Sequence, residues 1–215
     1  MGRAQRIVTS IYSRTAHRLY EPLVVHGSFR LLGGDLNERV AEQGRSAVRV
    51  AGGRPILDMP VGTGYFTAAV AASHPGVVVG VDIAEGMVRE AAGLARRRSL
   101  PNLVVAQADA HALPFGDGSF GAILCTNGLQ VIPGLRGAVS ELARVLAPGG
   151  TLFVSMVGLP LGALLPRGAA DRMPAVLAAR SKIADELERA GLTVARTRKR
   201  RLSTLYEAMK PADIA

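Results

Sequence analysis

ILDMPVGTGYFT, at residues 56–67, joins a short apolar run that ends in Asp58 to a turn with Gly62 and Gly64, and then to residues that can open a helix. Glycine lets the chain turn sharply and lets a ligand approach the backbone closely. A helix that begins directly after such a turn presents backbone N–H groups without partners inside the helix. The stretch predicts a strand, a turn and a helix in series. It leaves open whether the turn binds a ligand or only connects two elements.

Similar apolar runs follow along the chain and alternate with helical patterns. Five of them predict strands, at residues 56–59, 77–82, 103–109, 122–127 and 151–157. Their apolar residues are continuous rather than alternating, which is typical of strands buried on both faces of a parallel sheet. The helical stripe over residues 135–146 ends before a Pro-Gly-Gly sequence that favours a helix stop. The alternation predicts an α/β protein with an open, doubly wound sheet.

The N-terminal part of the chain has a different character from this α/β pattern. Residues 1–51 are expected to form cap helices packed on the core, with one helix over residues 36–51. Residues 52–215 would form the main domain, which makes the chain a single domain with an N-terminal helical cap.

The C-terminal part predicts three further features. Residues 158–172 are rich in Gly, Leu and Pro and are expected to form a loop or lid over the carboxyl edge of the sheet. A helix should follow, capped by Asp171 and ending at Gly191. The strand-like runs 192–198 and 203–209 are close enough in sequence to form an antiparallel pair.

The composition limits the classes of protein. The 215 residues carry 26 Lys and Arg against 17 Asp and Glu, a formal charge of +9, and 48% of them are hydrophobic, so the chain can bury a substantial core. A single cysteine, Cys125, excludes a framework of internal disulfides. The four histidines lack the spacing of zinc ligands, and no metal is expected.

With no signal-peptide pattern and no stretch long enough to cross a bilayer, we expect a cytoplasmic protein, either a monomer or a homodimer.

Acidic residues follow the second and third predicted strands. Asp82 comes 24 residues after Asp58, where a carboxylate can accept hydrogen bonds from ribose hydroxyls, although it could also cap the next helix. Asp109 stands just past the third strand, where it could accept from the exocyclic amine of adenine while the Ala110 N–H donates to the ring. Thr67 occupies the place of the third glycine of the dinucleotide fingerprint, which disfavours NAD.

Four stretches in order give the sequence a resemblance to a known family. They are residues 57–64, residues 79–87 (VGVDIAEGM), residues 107–120 (QADAHALPFGDGSF) and residues 141–151 (ELARVLAPGGT). The sequence resembles class I S-adenosylmethionine-dependent methyltransferases of the small-molecule branch, which includes the ubiquinone and menaquinone methyltransferases. The resemblance implies a Rossmann-like, seven-stranded sheet with a C-terminal antiparallel strand pair. It also implies S-adenosylmethionine as cofactor and S-adenosylhomocysteine as product.

The resemblance assigns roles to single residues. Asp58 would orient the methionine amine, directly or through water, and Asn127 would border the methionine part and the transferred methyl group. Asp82 would hold both ribose hydroxyls, Ile83 would pack on adenine, and Asp109 would read the adenine edge. The complete predicted cofactor-binding set is Asp58, Pro60, Gly62, Thr63, Gly64, Asp82, Ile83, Met87, Asp109, Ala110 and Asn127.

Pro60 departs from the family pattern, which usually has glycine at this position. Proline lacks the backbone N–H and holds φ near −65°. If the turn requires a positive φ at residue 60, the loop must be reshaped.

Methyl transfer needs orientation, proximity and exclusion of water, and only some acceptors need a base. The candidate bases are His17, Tyr20 and His26, each of which could equally be a surface or capping residue. Gln130 stands where many relatives have histidine; it could form a hydrogen bond with a substrate but is a poor base. Cys125 lies inside an apolar strand and is expected to be a packing residue.

The acceptor is predicted to be a small hydrophobic or aromatic molecule, because the N-terminal segment and the 158–172 segment supply apolar and aromatic side chains. Two alternatives stay open. The basic run at residues 196–201 could contact RNA, but the chain has only nine aromatic residues for base stacking, so nucleic acid is not the expected partner. The chain could also bind the cofactor as an inactive partner protein.

Overall fold

The computed structural model describes residues 36–157, 182–200 and 203–212. The predictions for residues 1–35, for the 158–172 segment and for the start of the 171–191 helix lie outside these residues. The helices are α1 (Leu36–Ala51), α2 (Tyr65–Ser73), α3 (Glu85–Arg97), α4 (Leu135–Val145) and α5 (Ile183–Arg189). The strands are β1 (Ile56–Asp58), β2 (Val78–Asp82), β3 (Leu103–Gln107), β4 (Phe120–Thr126), β5 (Leu146–Val157), β6 (Thr193–Arg200) and β7 (Ser203–Met209).

The strands form one seven-stranded sheet in the order β3-β2-β1-β4-β5-β7-β6. The first five are parallel, with Leu57 aligned to Val79 of β2 and to Ile123 of β4. The antiparallel pair β6 and β7 joins the sheet at β5. The seven strands, their doubly wound order and the C-terminal antiparallel pair confirm the predicted fold class.

Successive strand residues enter two separate cores, as expected for a sheet covered on both faces. Ile56, Leu124 and Phe153 pack with residues of α1, α2 and α3 on one face. Their neighbours Leu57 and Ile123 pack with residues of α4 and α5 on the other face. The apolar runs are therefore continuous in sequence because each side of each strand is buried.

The predicted boundaries were wrong at β5. We expected residue 146 to close a helix and the strand to begin at residue 151, but Leu146 already pairs with Phe120 of β4. The Pro-Gly-Gly sequence at 148–150 lies inside the strand, beside a shift of register between Phe120 and Ala122. The predicted helix over residues 36–51 is confirmed as α1, while the division of the chain at residue 51 stays a prediction.

The C-terminal strand pair is tied to α1 by buried polar side chains. Arg39 donates to the Ser203 hydroxyl at 2.6 Å and to the carbonyl of Arg198 at 3.1 Å. Gln43 donates to the carbonyls of Val154 and Tyr206 at 3.4 and 3.3 Å.

Among the described residues, no helix combines the length and the apolar character that crossing a bilayer requires.

Candidate functional site

The acidic residues singled out in the sequence lie at one edge of the sheet. Asp58 is the last residue of β1 and Asp82 the last residue of β2, and the two strands are parallel neighbours. Asp109 follows β3 by two residues. The strand order reverses between β1 and β4, and ligands of open α/β sheets bind at the carboxyl ends of strands at such a point.

The loop between β1 and α2 is held against β2 by backbone contacts. Val61 N–H donates to the Val81 carbonyl at 2.8 Å. Gly62 and Gly64 have positive φ, 55° and 79°, a conformation that glycine adopts readily. A Cβ added to Gly62 would meet open space, so a ligand can approach there, whereas a Cβ on Gly64 would lie 3.2 Å from the Ala91 Cβ of α3. Gly64 therefore also serves the packing of α2 on α3, which the sequence did not predict.

Asp82 joins this loop to the beginning of α3. Its carboxylate accepts the Gly62 N–H at 3.1 Å and the Ala84 N–H at 2.9 Å, and the residue is 8% exposed. Burial raises the pKa of Asp82, while the backbone N–H groups oppose the rise. The sequence offered a ribose-binding acid and a local cap as alternatives. The local contact is present, to the Ala84 N–H just before α3, and the ribose contact stays a prediction.

Asp58 is buried with one carboxylate oxygen unsatisfied. Oδ2 accepts the Thr67 hydroxyl at 2.5 Å, whereas Oδ1 has no hydrogen-bond partner. Burial raises the pKa of Asp58 to about 7, the Thr67 hydroxyl opposes the rise, and the nearby Asp82 charge adds to it. A buried oxygen without a partner is costly, by roughly 1–3 kcal/mol. This atom fits a ligand that brings a cationic donor, such as the ammonium group of methionine.

Pro60 fits the loop without a positive φ at its own position. The Met59–Pro60 peptide bond is cis, and the turn takes its positive φ at Gly62 and Gly64 instead. The pyrrolidine ring lies against Gly128 after β4. Asn127, the residue before this glycine, has a φ of 55°, which is uncommon outside glycine and marks the end of β4 as a special backbone position.

Asp109 is held by His111, which follows it by two residues. Its Oδ1 accepts the His111 backbone N–H at 3.0 Å and contacts the His111 Nδ1 at 2.8 Å. The opposite nitrogen, Nε2, lies 2.8 Å from the Pro133 carbonyl oxygen. Sequence order alone would not show this contact, because Pro133 is 22 residues away.

The remaining predicted cofactor residues lie along the same edge. Thr63 and Ile83 are half-buried, the first in the loop and the second after β2, where the Gln107 amide donates to its carbonyl at 2.9 Å. Met87 lies in the first turn of α3 and is 2% exposed, and Ala110 is buried beside Asp109. Their contact with a ligand stays a prediction.

The candidate catalytic residues His17, Tyr20 and His26 lie outside the described residues. Cys125 is fully buried in β4, and burial raises its pKa to about 12, so the thiol is protonated and packs as predicted. The Gln130 Oε1 is buried without a partner. In residues 36–157, 182–200 and 203–212, no group of three or more His, Cys, Asp and Glu is placed to hold a metal ion.

Two arginines of the basic run already have acidic neighbours. Arg198 contacts Glu42 of α1 at 3.0 Å, and Arg196 lies 3.9 Å from Glu207 of β7. Glu38 and Glu42 also line the groove of about 560 Å³ beside Arg198, Lys199 and Arg200. Arg39 and Arg45 line the groove as well, so five cations face two acids there, and the RNA alternative stays open.

Comparison with known proteins finds a family model over the region that contains this site. Residues 56–150 match the family model of the methyltransferase domain, and this range contains the glycine loop and all three acids. Over these residues the chain is similar to a methyltransferase domain. The chain is similar to demethylmenaquinone methyltransferase of Clavibacter sepedonicus, with 39% identity over 137 residues, which are 64% of this chain and 54% of that protein. The chain spans about half the length of the curated relatives it matches.

Solved structures share the fold of this chain. An S-adenosylmethionine-dependent methyltransferase from Aquifex aeolicus superposes with a TM-score of 0.66 at 20% identity, covering 79% of this chain and 88% of that one. The cyclase SpnF superposes with a TM-score of 0.68 at 21% identity, covering 81% of each chain. At such identity the likeness concerns the fold, which is shared by a methyltransferase and a cyclase.

Proposed function

We propose that this protein binds S-adenosylmethionine at the edge formed by β1, β2 and β3 and transfers its methyl group to a small-molecule acceptor. The observation that carries the proposal is the pair of buried carboxylates beside the glycine loop, one of which keeps an oxygen without a partner. Such a pair is unfavourable in the protein alone, and a ligand with an ammonium group and two hydroxyls would satisfy it.

The residues of the site would hold the ligand by distinct contacts. Oδ1 of Asp58 would accept from the methionine ammonium group, directly or through water. The carboxylate of Asp82 accepts the Gly62 and Ala84 N–H groups and is also approached by the Ile83 N–H, and a remaining lone pair would accept from a ribose hydroxyl. The open space over Gly62 would admit the ligand, and Asp109 with the Ala110 N–H would read the adenine edge.

Bound S-adenosylmethionine supplies an electrophilic methyl group on a sulfonium sulfur. The protein's part is to hold that group in line with the acceptor and to exclude water. Asn127 and Gln130 follow β4 at the switch point, next to the loop that carries Pro60. The unpartnered Gln130 oxygen would accept a hydrogen bond from the acceptor, while no base is assigned among the described residues.

We infer that the acceptor is hydrophobic or aromatic, with a quinone-like ring as the leading candidate. The support is the similarity to demethylmenaquinone methyltransferase of Clavibacter sepedonicus. The apolar residues that the sequence analysis assigned to the acceptor pocket lie in segments outside the described ones, so the acceptor needs a direct test.

Calorimetric titration tests the cofactor. We expect wild-type protein to bind S-adenosylmethionine and S-adenosylhomocysteine but not NAD, and Asp82→Ala to bind both at least about tenfold more weakly because its hydroxyl contacts are lost. Glu85→Ala is the matched control, since Glu85 is a nearby exposed acid whose salt bridge, among the described residues, is with Arg89 on the same helix. Equal binding by wild type and Asp82→Ala would contradict the proposed site.

A methyl-transfer assay tests the acceptor. We expect S-adenosylhomocysteine to form with a demethylated naphthoquinone ring and not with glycine or ethanolamine. Turnover restricted to the polar acceptors would overturn the hydrophobic acceptor. Tight cofactor binding with no turnover on any acceptor would instead favour a cofactor-binding partner protein.

A further inference from the structure

His111 bridges two segments that belong to different parts of the sheet edge. Its Nδ1 lies 2.8 Å from Asp109 Oδ1, and its Nε2 lies 2.8 Å from the Pro133 carbonyl oxygen and 3.3 Å from the Gly134 carbonyl oxygen. Asp109 stands in the turn after β3, whereas Pro133 and Gly134 end the segment that leads from β4 to α4. The ring therefore joins the predicted adenine side of the site to the segment that follows Gln130.

Both ring nitrogens of His111 face oxygen acceptors. A neutral imidazole carries one N–H and one lone pair, so it would satisfy one of these oxygens and repel the other. The imidazolium ion carries two N–H groups and satisfies both. The Asp109 oxygen already accepts the His111 backbone N–H, which leaves the ring as the natural donor of the proton between them.

Two glycines make room for the ring. A Cβ on Gly134 would lie 3.2 Å from Nε2, and a Cβ on Gly137, in the first turn of α4, would lie 3.0 Å from Cδ2. Both distances are tighter than ordinary van der Waals contact. The beginning of α4 is thus shaped to admit this side chain.

We propose that protonated His111 is a positioning residue for the cofactor, which orients the Asp109 carboxylate and fastens the adenine side of the site to the segment before α4. This role rests on the proposed function, because it requires that Asp109 contacts the ligand. It makes affinity for the adenosine part of the ligand depend on pH, with tight binding while His111 is protonated.

The charged surroundings of His111 favour the protonated form. On its own turn Asp109 is the neighbouring charge, and the segment before α4 contributes the carbonyl oxygens of Pro133 and Gly134. On α4, Glu141 and Arg144 pair with each other at 2.7 Å, and Arg136 lies 3.4 Å from Glu186 of α5. Partial burial lowers the pKa of His111, but the hydrogen bond and charge of Asp109 and the two carbonyls outweigh it and raise the pKa above its ordinary value.

The affinity test uses 5′-methylthioadenosine as probe, because it has the adenine and ribose of the cofactor but lacks the methionine ammonium group that would respond to Asp58. Titrations of wild type, His111→Gln and Arg136→Gln would be compared at about pH 6 and about pH 9, on either side of an ordinary histidine pKa. Arg136→Gln is the matched control, since it removes an exposed charge from the same end of α4.

We expect wild type and Arg136→Gln to bind 5′-methylthioadenosine about tenfold more weakly at the higher pH. This is the effect of losing one hydrogen bond to a charged group. His111→Gln should bind weakly at both pH values. Nitrogen NMR of the histidine rings should show that in wild type one histidine, absent from His111→Gln, stays doubly protonated to higher pH than a free histidine.

Three results would overturn the proposal. One is the same pH dependence in His111→Gln as in wild type, and another is a neutral His111 ring at about pH 6. The third is a flat affinity accompanied by a lower melting temperature at high pH, which would leave His111 a purely structural bridge. Binding of S-adenosylhomocysteine by wild type at about pH 6 separates these failures from failure of the proposed function, which would abolish that binding.

Discussion

Gly128 lies directly against Pro60, so closely that a Cβ on residue 128 would come within 2.2 Å of the Pro60 Cδ. The same Cβ would lie 3.0 Å from the Cys125 Sγ. Pro60, the residue of the β1–α2 loop that departs from the family pattern, is therefore matched by a glycine on the segment after β4. The two segments meet at the switch point of the sheet, where the proposed ligand would lie.

This contact predicts that Gly128→Ala destabilises the protein and that Pro60→Gly rescues it. The added methyl must displace the proline ring, which overpacks a tight contact and costs about 2 kcal/mol. In the Pro60→Gly background the ring is absent, so Gly128→Ala should lower the free energy of unfolding by less than half as much as it does in wild type. Urea denaturation of the four proteins measures this coupling. Additive effects of the two substitutions would show that the residues do not constrain each other.

Asp58 predicts a stability that falls as pH rises. Its pKa of about 7 lies above the ordinary value of 3.8. Between these values the folded state holds a proton that the unfolded state releases, so stability decreases from about pH 4 to about pH 7 and the cost is complete above that range. Asp58→Asn does not titrate and keeps the shape of the side chain. At about pH 8 it should be more stable than wild type, on the order of 2 kcal/mol, and at about pH 4 the difference should be small.

Urea denaturation at the two pH values tests this prediction, and calorimetry supplies a second readout. The Asp58→Asn variant should bind S-adenosylhomocysteine more weakly than wild type although it is more stable. If Asp58→Asn is instead less stable than wild type at about pH 8, the surroundings of the carboxylate stabilise its charged form, and burial does not destabilise it.

The hydrogen bonds of Arg39 predict that this residue stabilises the packing of α1 on the C-terminal strand pair. The residue is 9% exposed, and its guanidinium group donates to Ser203 and to the Arg198 carbonyl. Arg39→Met keeps much of the side-chain volume but removes both hydrogen bonds, and it should cost about 1–3 kcal/mol. Arg45→Met, on an exposed position of the same helix, is the control and should change the free energy of unfolding by less than about 0.5 kcal/mol.

Hydrogen exchange locates the effect of Arg39→Met. Amides of β6 and β7 should exchange faster than in wild type, while those of β1 and β2 should keep their protection. Uniform acceleration across the sheet would place the loss in global stability instead of in the strand pair.

The burial of Cys125 predicts that its thiol reacts only after the protein unfolds. It is fully buried in β4, and its pKa is raised to about 12. At neutral pH the thiolate required for attack is therefore almost absent, and reagents cannot reach the sulfur. Labelling by a disulfide reagent should be slow in native protein and complete in urea, and Cys125→Ala should retain methyl transfer. Loss of transfer without loss of stability would give this thiol a chemical role.

The sequence predicted where the three acids lie because each ends or follows an apolar run, and the carboxyl ends of parallel strands share one edge. Their contacts with a ligand stay predictions. The sequence could not predict the partners of those acids. The backbone bonds of Asp82 depend on how the glycine loop folds back. The His111 contact to Pro133 depends on the segment after β4 reaching the turn after β3, although β1 and β2 separate these two strands in the sheet.

Two glycines were also missed for a physical reason. Gly80 and Gly128 are required because Val61 and Pro60 press on them, with added Cβ atoms at 2.6 and 2.2 Å. The requirement for glycine at these positions comes from side chains on other elements, so the neighbouring sequence shows no pattern that predicts it. Leu146 was assigned to a helix because its spacing fits the stripe of α4, while its pairing with Phe120 is a tertiary contact.

The arginine-rich strand β6 also bears on self-association. Among the described strands, β6 has a neighbour on one side only, and its residues are largely exposed. An outer strand of this kind can add a strand from another molecule and seed aggregates. Two copies meeting at β6 would bring two arginine-rich strands together. Glu207 and Glu42 offset Arg196 and Arg198, but the strand keeps an excess of positive charge, whose repulsion opposes that step. Screening by salt weakens this protection, and concentrated protein should therefore precipitate more readily as ionic strength rises.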